Sequence, residues 1–197
     1  MKKTIIFDTE TTGIVPKGMM YKDPNYPRLL QLAWVILDED GNELDKRKNY
    51  IKPNGFLVPN TEFHKANGLT QEVCDKGENP IDELNFLLDA IEKSEVLLAH
   101  NMLFDYFIIA SELHKNNIIR KIERKPKYCT MMSTIDFCQL PSPYGRGFKF
   151  PRLEELYKKL FNETFENAHD AFADVKATAR CYVELNRLGV PIKEVLK

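Results

Sequence analysis

A chain of 197 residues with 43% hydrophobic and 29% charged residues has the balance of an ordinary globular protein, which excludes an intrinsically disordered one. No apolar run approaches the roughly 20 residues needed to cross a bilayer. The apolar stretch Ile5-Ile6-Phe7 behind the basic start is too short for a signal peptide, so a cytoplasmic location is expected. The net charge of −1, from 28 basic and 29 acidic residues, is not that of a protein gripping long duplex DNA; it suits a small nucleic-acid contact or none.

In chain order, residues 3–8 read as a first strand, followed by a long connection containing Pro16, Pro24 and Pro27. Leu29 to Leu37 is apolar enough for a central strand, and the turn signal Asp38-Glu39-Asp40-Gly41 returns the chain as a partner strand over residues 43–52. A loop containing Asn67-Gly68-Leu69-Thr70 precedes a change of period. Asn79-Pro80 then reads as an N-cap and first turn, and Ile81, Leu84, Leu88 and Ile91 trace a helical stripe. Val96-Leu97-Leu98-Ala99 is a short strand of the kind buried on both faces. A second helix is expected from about Phe104 to Lys115, and a further short strand over residues 128–130. Leu153, Leu156, Tyr157, Leu160 and Phe161 carry amphipathic spacing, and a last helix from about Asp170 to Leu188 is stopped by Gly189 and Pro191. This order predicts an α/β fold, a mixed sheet with helices packed against it, in one domain over residues 1–197. Cys74, Cys129, Cys138 and Cys181 are widely spaced with no C-x-x-C pair, which points to reduced thiols rather than a disulfide framework or a zinc site.

Three acidic segments carry the chemistry. Side chains alternate faces along a strand, so Asp8 and Glu10 in Phe7-Asp8-Thr9-Glu10-Thr11-Thr12-Gly13 project together. Two like charges so close are unfavourable unless a cation joins them, and oxygen donors suit a hard one such as Mg²⁺. Asp105, in His100-Asn101-Met102-Leu103-Phe104-Asp105, falls in a first helical turn, where it also suits the helix dipole; His100 reads as structural. Asp170 and Asp174 lie one turn apart with His169 at the helix entrance, and Ala171 and Ala173 let that helix lie close to the sheet. Each segment alone is also explained by capping or solvation.

Together the three segments resemble the DEDDh exonuclease superfamily: Asp8-Thr9-Glu10, His100-Asn101-x-x-Phe104-Asp105 and His169-x-x-x-x-Asp174 stand in family order. The resemblance runs from Thr4 to about Leu185 and is similar in type to the proofreading (epsilon) subunits of bacterial DNA polymerase III. It implies a ribonuclease H-like mixed central sheet, with three N-terminal antiparallel strands and then parallel ones, flanked by helices. It implies 3′→5′ hydrolysis at single-stranded 3′ ends, with DNA favoured over RNA, releasing nucleoside 5′-monophosphates. Two Mg²⁺ or Mn²⁺ ions would be held by Asp8, Glu10, Asp105 and Asp174, with His169 as general base. The resemblance further assigns Thr11 and Thr12 to the 3′ terminus, Phe104 to the last nucleotides and Leu69 to a wedge between the final two bases. The related subunits often carry histidine where this chain has Asn67.

Two basic stretches stand outside these motifs. Residues 115–127 hold six cations with Glu123 as the one acid, which fits a solvated helix end or a path for phosphates. Residues 144–152 interleave Tyr144, Arg146, Phe148, Lys149 and Phe150 around two glycines and are the better candidate for substrate contact. No segment beyond the last helix stands out as a tether, so a free-standing enzyme is expected, with a polymerase partner as the other arrangement. A non-catalytic nucleic-acid-binding scaffold and an exoribonuclease trimming RNA 3′ ends are the competing readings.

Overall fold

The structure, a computed structural model, describes residues 2–122 and 124–196. Glu123, the one acid of the first basic stretch, lies outside the described residues. Three strands open the fold: β1 (Thr4–Thr11), β2 (Leu29–Leu37) and β3 (Glu43–Tyr50). Two short helices, α1 (Glu62–Ala66) and α2 (Gln71–Asp75), lead to α3 (Pro80–Glu92), β4 (Val96–Ala99) and α4 (Met102–Lys115). Then come β5 (Lys127–Cys129), α5 (Thr130–Ser133), α6 (Ile135–Cys138), α7 (Leu153–Phe161), α8 (Ala171–Arg187) and β6 (Glu194–Leu196). The sheet order is β3-β2-β1-β4-β5-β6; β1, β2 and β3 pair antiparallel, and β1, β4 and β5 pair parallel. This is the expected ribonuclease H-like mixed sheet.

Strand parity sorts the core. Ile5 and Phe7 of β1, with Leu32, Trp34 and Ile36 of β2, pack under α3 and α4 through Leu84, Leu88, Ile91, Ile108 and Ile109. Ile6 points the other way and joins Ala33, Val35 and Leu37 against Ala171 and Val175 of α8. Every residue of β2 is buried, Gln31 included, because helices cover both faces. Asp8 and Glu10 continue the parity of Ile6, so they emerge on the α8 face.

Several boundaries depart from the sequence reading. β1 runs on to Thr11 because β2 pairs with it up to Thr11↔Leu29, so Glu10 sits in a strand rather than in the following turn. α4 begins at Met102, where Asn101 at φ 78° turns the chain out of β4. β3 ends at Tyr50, and Thr130 starts a helix instead of ending a strand. All four cysteines are buried free thiols. No helix of the described residues is long and apolar enough to cross a membrane.

Candidate active site

β1 outruns its parallel neighbour: β4 is in register with it only at Thr4, Ile5 and Ile6, so the edge beside Asp8 is open beyond Ala99. α4 fills that gap with its first turn and brings Asp105 to the strand. Asp105 Oδ1 accepts the Thr9 backbone N–H at 3.0 Å and the Thr9 hydroxyl at 2.7 Å, which fixes a carboxylate that is 2% exposed. From the opposite face, α8 lays Asp174 across the site. Single ligand atoms of Glu10, His169 and Asp174 all lie within 4.8 Å of one another.

The approach to α8 is held by a polar clamp that the sequence did not reveal. Asp170 caps the helix through the Ala173 N–H at 3.1 Å. Gln31 of β2 accepts from the Ala171 N–H at 2.8 Å and donates to Asp170 Oδ2 at 3.2 Å, and Lys48 of β3 donates to the same oxygen at 2.6 Å. Burial would raise the Asp170 pKa, but these partners more than offset it and hold the carboxyl below its ordinary value. Asp170 is thus a clamped cap, separate from Asp8, Glu10, Asp105 and Asp174. His169 sits exposed just before it at φ 70°, with its backbone N–H donating to Asp174 Oδ2 at 3.2 Å.

The four site carboxylates have no lysine or arginine partner among the described residues, and their acidities show it. Burial first, then the neighbouring Asp105, Asp174, Glu10 and Asp170, hold Asp8 well above the usual carboxylate range. Burial, reinforced by Asp174, Asp105 and Asp170, lifts Glu10 to about 8. Burial raises Asp105 to about 7 against the pull of Thr9, and raises Asp174 to about 7 against the His169 N–H. Clustered oxygen donors that resist ionising together are the donor set for a hard divalent cation, whose charge would release their protons.

A model of the RNase T exonuclease family matches residues 5–182. The chain belongs to that family. As such a member it is an exonuclease, as its motifs led one to expect. The exonuclease is 29% identical over 174 residues to a PolC-type DNA polymerase III of Listeria monocytogenes, which covers 88% of this chain and 10% of that protein. It is 28% identical over 182 residues, 91% of this chain and 69% of the other, to a DNA polymerase III subunit epsilon of Buchnera aphidicola. It spans about a tenth of the PolC-type relatives. Among solved structures, the nuclease domain of 3′hExo, a DEDDh family member bound to rAMP, superposes with a TM-score of 0.71 at 16% identity, over 100% of this chain and 97% of that one. At that identity the likeness speaks for the fold.

The remaining residues assigned by the resemblance fare unequally. Leu69 is 1% exposed and packs with Leu30, Val58 and Cys74, so it cannot slip between bases without leaving the core. The exposed apolar side chain in that region is Phe63 of α1, 48% exposed, with its ring 5.3 Å from that of His169. A lone aromatic within a five-residue helix gives no periodic signal. Phe104 is half-buried against the main core. The Thr11 hydroxyl donates to the Gly13 carbonyl, and the Thr11 carbonyl accepts from His64 Nε2 at 3.1 Å. The Thr12 N–H donates to the Arg28 carbonyl at 2.9 Å and its hydroxyl accepts the Arg28 N–H. His100 is a strut: its Nε2 donates to the Pro151 carbonyl at 3.1 Å, Nδ1 lies 2.9 Å from the Thr130 hydroxyl, and burial lowers its pKa to about 4.

Proposed function

We propose that the exonuclease removes nucleoside 5′-monophosphates from single-stranded 3′ ends, DNA in preference to RNA, in a single domain over residues 1–197 that works in the cytoplasm. The carrying observation is the set of four carboxylates with raised pKa and, among the described residues, no lysine or arginine partner, with His169 at its rim. Asp8, Glu10, Asp105 and Asp174 would hold two Mg²⁺ or Mn²⁺ ions. When bound, such a pair neutralises the phosphoryl oxygens, activates the attacking water and stabilises the leaving 3′ oxygen.

The chain's own groups do the rest. His169 is exposed, so its imidazole can reach the attacking water and take its proton as general base. The Asp170–Gln31–Lys48 clamp keeps the start of α8, and with it His169 and Asp174, in register with β1. Thr9 holds Asp105 in place. Thr11 and Thr12 would face the terminal nucleotide, and Phe104 would lie beside it. Phe63 takes the stacking position in place of Leu69, since it stands free next to His169. Stacking on an aromatic ring ignores base identity, as a non-specific exonuclease requires.

DNA is favoured because relatives such as the Listeria monocytogenes and Buchnera aphidicola proteins are DNA polymerase III proteins, which also supports a polymerase partner. An exoribonuclease is the second reading, favoured by the rAMP bound to 3′hExo. The deciding assay uses 5′-labelled DNA and RNA oligonucleotides with Mg²⁺, Mn²⁺ or chelator, beside an Asp8→Ala sample prepared identically. A metal-dependent ladder shortening from the 3′ end, absent in the variant, is expected, with the faster polymer settling DNA against RNA. No ladder from folded protein on either polymer would sink the reading in favour of a scaffold.

A further inference from the structure

The segment between α6 and α7 projects as a hairpin arm. Pro141 and Phe148 form an antiparallel bridge, the Lys149 N–H donates to the Leu140 carbonyl at 2.9 Å, and the Ser142 N–H donates to the Gly147 carbonyl at 3.1 Å. Gly145 at φ 80° and Gly147 at φ 70° make the tip, a conformation that favours glycine.

The returning limb alternates in burial. Lys149 and Pro151 face inward: the Lys149 ammonium pairs with Glu155, and the Pro151 carbonyl takes the hydrogen bond from His100 at the end of β4. Phe148, Phe150 and Arg152 face outward with nothing over them; the phenylalanines are 44% and 54% exposed, and Tyr144 at the tip is 93% exposed. Alternate residues of an extended limb stand roughly 6.6 Å apart on one face. Between Asp136 and Glu154 the chain carries Arg146, Lys149 and Arg152 and no acid. The limb also ends at the active site. It feeds α7, which begins at Leu153, and its Pro151 carbonyl is tied to His100 at the end of β4, the parallel neighbour of the strand that carries Asp8 and Glu10.

Exposed aromatic rings interleaved with cations, on a track that leads to the catalytic carboxylates, have the chemistry of a single-strand platform: rings for bases, guanidinium groups for phosphates. We propose that this arm, residues 141–152, binds the nucleotides upstream of the scissile bond, with Phe150 nearest the site and Tyr144 farthest from it. Resting on the exonuclease reading above, the proposal assigns the strand's path outside the catalytic pocket. It predicts that the enzyme prefers strands long enough to reach the arm.

The test compares the parent with Phe148→Ser/Phe150→Ser and Tyr144→Ala/Arg146→Ala, exposed positions at which melting temperature and circular dichroism are expected to match the parent. Two substrates are used: a twelve-nucleotide single strand and the p-nitrophenyl ester of thymidine 5′-monophosphate, which is too short to leave the pocket. A loss of about tenfold or more in kcat/KM on the twelve-mer is expected, carried by KM, with the ester cleaved as by the parent. Parental KM on the twelve-mer, or equal losses on both substrates, would overturn the arm's role. Fluorescence anisotropy of the labelled twelve-mer in Ca²⁺ gives an independent readout. If the parent cleaves neither substrate, the exonuclease reading fails, and weaker binding by the arm variants still decides whether the arm holds the strand.

Discussion

Glu83 and Glu112 are as deeply buried as Asp105, at 1%, 2% and 2% exposure, yet their partners differ in kind. Arg47 grips Glu83 through Nε at 2.7 Å and Nη2 at 2.6 Å. Arg28 grips Glu112 through Nε at 2.7 Å and Nη2 at 3.3 Å, with the Leu29 N–H adding a third donor at 3.1 Å. Asp105 receives two neutral donors from Thr9 and, among the described residues, no arginine. Among the described residues, the fold therefore supplies arginines to carboxylates that hold helices on the sheet, and supplies none to the four gathered around the end of β1. A buried charge left unpaired is costly, so the site is built for a positive group that arrives from outside.

The contrast is broken most severely at the site itself. Asp8→Ala or Asp174→Ala should lower turnover by about 10⁴-fold or more, the scale seen when one member of a catalytic unit is removed; single-turnover cleavage of a 5′-labelled strand measures it. His169→Ala should cost about 10²- to 10⁴-fold in turnover, while Mn²⁺ still raises its melting temperature. Loss of that metal shift would make His169 a ligand rather than the base.

The structural pairs respond in stability instead. Glu112→Gln leaves Arg28 without its counter-ion and should destabilise by about 3 kcal/mol, the low end for a broken buried pair because Arg28 keeps 17% side-chain exposure. Calorimetry should then show a melting temperature about 6–12 °C lower. Asp8→Asn should do the reverse in metal-free protein, raising the melting temperature by a few degrees, about 1–2 kcal/mol, by removing an unpaired buried charge. A destabilised Asp8→Asn protein would contradict the claim that these carboxylates repel one another.

The smallest effect is a pH dependence. Glu10 is lifted from 4.5 to about 8, and Asp105 and Asp174 from 3.8 to about 7, so the folded chain keeps protons that the unfolded chain has released. Their contribution to stability is present in acid and lost as pH rises through 7 to 8. Metal-free protein should therefore melt at a lower temperature at pH 8.5 than at pH 6, and saturating Mg²⁺ should flatten the difference.

Long, strongly patterned elements could be read from the chain: the apolar run of β2, interrupted by Gln31, and the capped helix α3 stand as expected, Asn79 accepting from the Ile81 N–H, although Ile81 itself is exposed and Leu87 joins Leu84, Leu88 and Ile91 in the core instead. The site motifs were legible for the same local reason, since strand parity and one helical turn place Asp8 with Glu10, and Asp170 with Asp174. Elements without a full period escaped. The five-residue helices α1 and α2 and the three-residue strand β6 are set by tertiary contacts rather than by their own pattern. That is why Leu69 looked available when the turn between α1 and α2 in fact drives it inward, and why Phe63 went unnoticed. The clamp on Asp170 joins residues 31, 48 and 170, a separation that no local motif spans. In the stretch 115–127, the Lys115 ammonium bonds the Tyr26 carbonyl, Arg120 pairs with Asp89 and Glu92, and Lys125 caps α3 through the carbonyls of Ile91, Glu92 and Ser94. Those cations serve the fold.

That no lysine or arginine among the described residues stands beside the four carboxylates also sets an order of events. A bare site presents negative potential at the place where a phosphodiester must settle, so the ions and the strand are thermodynamically coupled. Coupling of this sort is reciprocal: whatever factor the ions add to the affinity for the strand, the strand returns to the affinity for the ions. In a cell where free divalent cation varies little, the arrival of a 3′ end would then itself complete the loading of the site.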